Sequence, residues 1–262
     1  MRKSVALTLA GSDPSGGAGV QADLKTFHQF GVYGMGVVTL LTVQNTKGVR
    51  KVKVLEAGMV LAQLDAVLED IVPGAAKTGA LGNGPVIEAV ARRARRFRFP
   101  LVVDPVMVSK HGALLMRPGA VSVLKKKLLP RARLVTPNLT EAEILTGLKI
   151  RDREAMERAA KKIAGYGPEA VLIKGGHLRC EASDLLYDGG RVRWFESGRI
   201  RTVHTHGTGC TYSAAITACL ALKMPLAEAV RTAKGYITEA IRTAPGLGKG
   251  AGPVNHHARP LL

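Results

Sequence analysis

Runs of apolar, β-branched residues alternate with segments of helical periodicity along most of this chain, and that alternation restricts the fold more than any other feature. Val5 to Ala10 precedes a helical pattern from about Gly19 to Phe30; Val37 to Val43 follows, and Leu101 to Val103, Leu134 to Thr136 and Val171 to Lys174 come later. Strands bridged by helices pair in parallel, so the expected class is α/β: a central, mainly parallel sheet with helices on both faces. Two short runs, Ser183 to Tyr187 and Val192 to Phe195, are joined by Asp188-Gly189-Gly190 and read as an antiparallel margin. With 262 residues, 46% of them hydrophobic, and no repeat or linker, residues 1–262 are expected to form a single domain.

Several of these runs end in residues suited to chemistry: Gly11 to Gly19, Gln44, Lys77 to Gly79, Asp104, Asn138 to Glu141, and Lys174 to His177. In open α/β sheets ligands bind beyond the carboxyl ends of the strands, so these groups should converge on one edge. The run His206-Gly207-Thr208-Gly209-Cys210-Thr211 leads into a helical stretch carrying Ala214, Ala215, Ala218, Cys219 and Leu222. The amides of Gly207 to Cys210 would crown a helix N-terminus, where a phosphate is favoured by converging donors and by the helix dipole. A thiol there is expected to have a lowered pKa. The bland alternative is a glycine turn before a buried helix.

A formal charge of +18 invites an anionic partner. Its densest cluster, Arg92, Arg93, Arg95, Arg96 and Arg98, accompanies an apolar stripe of Ile87, Val90, Ala91 and Ala94, the pattern of a solvated helix face. Aromatics make up only 4% of the residues and do not interleave with the basic ones, which argues against a base-stacking nucleic-acid surface. The three cysteines include no Cys-x-x-Cys pair, so neither a disulfide framework nor a thiolate zinc site is suggested. Cys219 reads as core and Cys180 as exposed and incidental. No apolar stretch reaches the ~18 residues a membrane span needs, and no opening segment has the make-up of a secretory signal, so a cytosolic protein is expected.

Gly17-Ala18-Gly19-Val20-Gln21-Ala22 has the Gly-x-Gly-x-x-Ala spacing of a dinucleotide fingerprint. It reads as a decoy, because the loop from Gly11 is too long for the tight turn and the next strand ends in Gln44-Asn45-Thr46 rather than an acid. No Walker-type loop occurs. Asn138-Leu139-Thr140-Glu141 has capping-box spacing, and it could equally serve a ligand. Asp104 and Glu141 supply the hard oxygens that magnesium uses near phosphates. Lys174 beside two glycines could follow a transferring phosphoryl group as a mobile point charge.

Nearly full length, these segments resemble the ribokinase superfamily, and within it the hydroxymethylpyrimidine/phosphomethylpyrimidine kinases of thiamine biosynthesis. The carrying residues are Ala10 to Gly19 with Gln21 to Thr26, Gln44-Asn45-Thr46, Val103 to Met107, Thr136-Pro137-Asn138, Lys174 to His177, Thr205 to Thr211, and Gly248-Lys249-Gly250 with Gly252-Pro253-Val254. The resemblance implies a ribokinase-like fold, a homodimer, and ATP-dependent phosphorylation of 4-amino-5-hydroxymethyl-2-methylpyrimidine and of its monophosphate. The amide of Gln44 can meet an amino group beside a ring nitrogen, as glutamine meets adenine. Gly11 would offer a backbone contact to the ring and Asp23 a carboxylate near the hydroxymethyl end.

In the wider superfamily an aspartate usually stands as catalytic base where this chain has Cys210. The thiol is expected to accept the alcohol's proton in the first phosphorylation, while Gly207, Thr208, Gly209 and Lys174 stabilise the transferring charge. Asp104 and Glu141 would hold Mg2+ directly or through water, with Asn138 positioning Glu141 or a phosphate of ATP. The chain departs from the family at Lys77-Thr78-Gly79-Ala80-Leu81, where a methionine often replaces Ala80. Relatives that phosphorylate pyridoxal carry a flap cysteine; Val108-Ser109-Lys110-His111-Gly112 has none. A pyridoxal kinase, a nucleic-acid-binding protein and a dinucleotide-dependent oxidoreductase stay open as alternatives.

Overall fold

The computed structural model describes residues 3–110, 112–176 and 182–260, so His111, His177 and Cys180 lie outside the described residues. The strands are β1 (Val5–Ser12), β2 (Tyr33–Asn45), β3 (Gly48–Val54), β4 (Ala75–Thr78), β5 (Leu101–Val103), β6 (Leu134–Val135), β7 (Ala170–Ile173), β8 (Asp184–Asp188) and β9 (Arg191–Phe195). They form one sheet in the order β3-β2-β1-β4-β5-β6-β7-β8-β9. The pairs from β2 to β7 are parallel, while β3 at one edge and β8 and β9 at the other are antiparallel. Both glycines of the β8–β9 turn have positive φ, 56° at Gly189 and 82° at Gly190, as a primed two-residue hairpin requires.

Eight α-helices accompany the described strands, the last two after β9: α1 (Gly19–Gln29), α2 (Ala57–Asp70), α3 (Gly84–Ala94), α4 (Ala120–Val123), α5 (Leu139–Thr146), α6 (Arg153–Ala164), α7 (Thr208–Ala221) and α8 (Leu226–Arg242). Successive strand residues point to opposite faces. Leu7, Leu9 and Val103 pack with Val60 of α2, Val90 of α3, Leu145 of α5 and Ile163 of α6. Their neighbours Ala6 and Val102 join Phe27 of α1, Ala214 and Ala218 of α7, and Ala233 of α8 on the other side. Arg92 and Arg93 close the last turn of α3, whose buried stripe includes Ile87, Val90, Ala91 and Ala94, as the apolar spacing requires. Cys219 is fully buried in the second core. No helix among the described residues is long and apolar enough to cross a membrane.

The second face also holds charge. Lys77 of β4 is fully buried, and its Nζ lies 2.8 Å from Asp23 Oδ1 of α1, itself fully buried. Thr8 Oγ1 donates to the other carboxylate oxygen at 2.6 Å. Removing one partner of such a pair strands the other in an apolar core. Lys77→Met should therefore cost about 3–5 kcal/mol, lowering Tm by roughly 10 °C. Lys77→Met/Asp23→Leu should recover most of that loss, as read by thermal unfolding.

Candidate active site

The carboxyl ends of the parallel strands open into one cavity of about 720 Å³, walled by Gly11, Gln44, Asp104, Asn138, Lys174 and Cys210 among others. A larger open groove of about 1120 Å³ lies between β9, α8 and the chain end, but none of these strand-end residues reaches its wall. The chemistry therefore belongs to the smaller cavity. Asp23 corrects the sequence-based expectation: its carboxylate is spent on Lys77 and Thr8 beneath the floor, and it does not line the cavity. It braces the site from below.

The N-terminus of α7 (Thr208–Ala221) lines the same cavity. Gly207 adopts φ 79°, and a Cβ on it would stand 1.7 Å from the Gly17 carbonyl oxygen, so only glycine fits. The amide of Thr208 turns back to the Thr205 carbonyl at 3.3 Å, and its hydroxyl follows at 2.8 Å, so Thr208 is a structural cap rather than the expected open donor. Gly209 and Cys210 occupy the first turn, where amides have no intrahelical acceptor. A Cβ on Gly209 would lie 3.3 Å from Lys174 Nζ, which puts the ammonium directly beside that turn.

Lys174 also pairs with Asp104 Oδ1 at 2.9 Å. Thr136 donates to the same oxygen at 3.2 Å and Ser213 to Oδ2 at 3.1 Å, so both carboxylate oxygens are engaged by protein groups. The capping box between Asn138 and Glu141 is fully formed, with bonds of 2.9 and 2.8 Å. Burial raises the Glu141 carboxyl to about 7; Lys174 opposes the rise and Asp104 adds to it. No cluster of three or more His, Cys, Asp or Glu side chains suited to a metal occurs among the described residues. The donor set suits an ion that keeps its waters and leans on phosphate oxygens, as magnesium does, rather than a dedicated protein cage.

Cys210 overturns the expected low thiol pKa. It sits half-buried where α7 begins, and the first amide of α1, from Gly19, lies close enough to favour its thiolate. Two helix N-termini thus face the thiol, with Lys77 beneath. Burial nevertheless dominates and, with Asp23 and Asp104 nearby, pushes the thiol up to about 11. A helix dipole supplies at most ~2 kcal/mol, roughly 1.5 pKa units, whereas desolvation can shift a buried group by ~3–5 units.

The turn between β1 and α1 is gathered around Asp13, whose role no spacing announces. Its carboxylate accepts from the amides of Ser15, Gly17 and Ala18 and from His206 Nε2, which holds its pKa far below the usual range despite burial. Gln44 lies within reach of the same carboxylate. Gly17 is a glycine because a Cβ would meet His206 Cδ2 at 2.5 Å, and Gly19 because one would meet the Gly11 oxygen at 2.1 Å. The dinucleotide spacing is therefore a consequence of loop packing. Gly248 and Gly250 likewise let the C-terminal loop settle on Thr46, whose Oγ1 and carbonyl oxygen would lie 2.4 and 2.1 Å from added Cβ atoms.

The far end of the cavity was illegible in the sequence. Ile200, Ile237 and Ile241 provide apolar walls, with Ser197, Gly198 and Thr202 between them. Lys234 Nζ joins Asp184 Oδ2 at 2.7 Å, and Asp184 Oδ1 accepts from the Gly175 amide at 2.9 Å, fixing the turn after Lys174.

With its pKa near 11, Cys210 should be slow to alkylate at neutral pH. Peptide mass mapping after iodoacetamide should find the Cys210 rate rising with pH up to about 11. A plateau already reached near pH 8 would contradict the burial argument.

The family profile described as phosphomethylpyrimidine kinase matches residues 13–255. A hydroxymethylpyrimidine/phosphomethylpyrimidine kinase of Rhizobium meliloti is 51% identical over 260 residues, covering 98% of both chains. The thiamine biosynthesis bifunctional protein ThiED of Geobacter sulfurreducens is 52% identical over 252 residues, but this chain, 95% covered, spans only 51% of its length. Among solved structures, an ADP complex of Bacillus subtilis pyridoxal kinase superposes with a TM-score of 0.91 at 40% identity, covering 98% of each chain. The matched range contains Asp13, Gln44, Asp104, Lys174 and the α7 N-terminus, and the chain belongs to the phosphomethylpyrimidine kinase family.

Proposed function

We propose that this protein transfers the terminal phosphoryl group of ATP to the hydroxymethyl group of 4-amino-5-hydroxymethyl-2-methylpyrimidine, and then a second one to the monophosphate so formed. The observation that carries this reading is a single cavity with three chemically distinct regions: Gly11 and Gln44, the Lys174–Gly209 corner, and the isoleucine-walled end. A ring that offers a donor beside an acceptor suits the Gln44 amide. The isoleucine end suits an adenine, and the corner between suits a phosphate chain. Relatives named for both pyrimidine steps, and a close structural neighbour holding ADP, support the same assignment.

In this reading the Gly209 and Cys210 amides and Lys174 stabilise charge on the transferring group, which passes through a loose transition state needing position and electrostatics more than covalent help. Asp104 tethers Lys174 so that the ammonium is already aimed before ATP arrives. Mg2+ would be held by Glu141 and Asp104, largely through water, and would neutralise phosphate charge; the raised carboxyl of Glu141 fits a position short of positive charge. Cys210 enters as a thiol. It orients the alcohol and takes up its proton only through a small thiolate fraction. The monophosphate is already an anion and has no such need.

Mass spectrometry of products formed with MgATP from the pyrimidine alcohol, its monophosphate and pyridoxal tests the assignment. Pyrimidine diphosphate is the expected product; phosphorylation of pyridoxal alone would overturn the role given to Gln44. Cys210→Ala should slow the alcohol by up to about tenfold and the monophosphate far less, and the alcohol rate should rise with pH in the wild type alone. Equal losses on both substrates would remove Cys210 from proton transfer. Lys174→Met should lower kcat about 100- to 1000-fold on both, as loss of one charge-stabilising donor does elsewhere.

The protein is further proposed to act as a homodimer. Leu41 and Val43, 45% and 53% exposed on the outer face of β2, form the apolar surface that a second copy would cover. Leu41→Glu/Val43→Glu should halve the mass measured by light scattering.

A further inference from the structure

Two loops must hold their relative position for phosphoryl transfer: loop 11–19, which begins at Gly11, and loop 204–208, which leads into the α7 N-terminus. They meet at His206. Its Nε2 donates to Asp13 Oδ2 at 2.7 Å, across 193 residues of sequence and within a buried contact. On the other side Asp13 gathers its own loop: Ser15 donates to Oδ1 from its amide at 2.9 Å and its hydroxyl at 2.7 Å, and Gly17 and Ala18 donate to Oδ2 at 3.1 and 2.9 Å. The backbone of His206 is tied as well, donating to Gly252 at 3.0 Å and accepting from Val254 at 3.2 Å. There is no slack in the contact, because the His206 ring lies against Gly17 and the Gly17 carbonyl lies against Gly207.

We infer that Asp13 and His206 are positioning residues that fix the separation between the bound pyrimidine and the phosphoryl group it attacks. Neither is assigned a contact with the reacting atoms. They act through Gly11 on one side and through Gly209 and Cys210 on the other. In-line transfer needs the reacting atoms about 3–3.5 Å apart, and a misplacement of about 1 Å can cost ~100-fold in rate. A strap between the loop that holds the acceptor and the loop that holds the donor controls that separation. The inference rests on the kinase reading above.

Steady-state kinetics with MgATP and the pyrimidine alcohol, together with the ratio of ATP consumed to product formed, tests it. His206→Phe keeps a ring without the donor, whereas His206→Gln carries an amide nitrogen as many bonds from Cα as Nε2. His206→Phe should lower kcat about 10- to 100-fold, leave the KM for ATP within about threefold, and raise the consumption ratio above one as water competes with a misplaced alcohol. His206→Gln should restore kcat to within about fivefold of wild type and return the ratio to one. A merely structural histidine would not move that ratio.

Unchanged kcat in His206→Phe, equal damage in both variants, or a ratio held at one while kcat falls would each overturn the inference. Should His206→Phe fail to fold, comparison of His206→Gln with His206→Asn, whose amide stops one bond short of Asp13, decides the question by the same criteria. A wild-type protein that phosphorylates no pyrimidine would instead overturn the kinase reading, and the inference with it.

Discussion

Helix α7 is buried on every side, and the geometry of the site follows from that burial. From Thr211 to Ala221 every residue is buried, and most are small, so α1, α8 and the sheet can all pack against the same short rod. A helix enclosed in this way has only its ends available. Its N-terminus points into the cavity at the strand ends, where unsatisfied amides are useful rather than costly. The first turn of α1 comes to the same place, because α1 packs alongside α7 and Gly19 lines the same cavity as Cys210.

Charge is distributed as three aspartate–lysine pairs, Asp23–Lys77 beneath the cavity and Asp104–Lys174 and Asp184–Lys234 in its wall, with separations of 2.8, 2.9 and 2.7 Å. The first is sealed from solvent, while the lysines of the other two keep 13% and 12% of their side-chain surface. That gradient matters because a sealed pair can only brace, whereas a lysine at the wall can exchange its carboxylate for a phosphate. Buried pairs of this kind add little to net stability. Their effect is to fix where each ammonium stands.

The order of strands and helices was legible because period-two and period-3.6 patterns are local. Leu101–Val103 coincides with β5, and β1 and α1 differ from the expected limits by one or two residues. Only the end of β4 was legible, at Lys77 to Gly79, because Ala75 and Ala76 are too short an apolar run to mark its start, and β3 was hidden by lysines alternating along an edge. The start of α7 was legible from the glycines that precede it. The partners of Asp23, the displacement of Thr208 toward Thr205, and the raised thiol of Cys210 were not, since each depends on what surrounds the residue in space. The Asp13–His206 contact spans 193 residues, and no spacing rule reaches that far.

The enclosure of α7 also bears on how the site can breathe. Shifting that helix would require α1, α8 and several strands to repack together, so the floor of the cavity behaves as a fixed anvil. The cavity wall that is free of that packing is made by the segments Val106 to Lys110 and Gly198 to Ile200 with Thr202, and ligands must pass them rather than the floor. Admission of two substrates and departure of two products all share those segments. Any motion that admits or releases a ligand therefore falls on those segments, while the packed floor keeps its geometry.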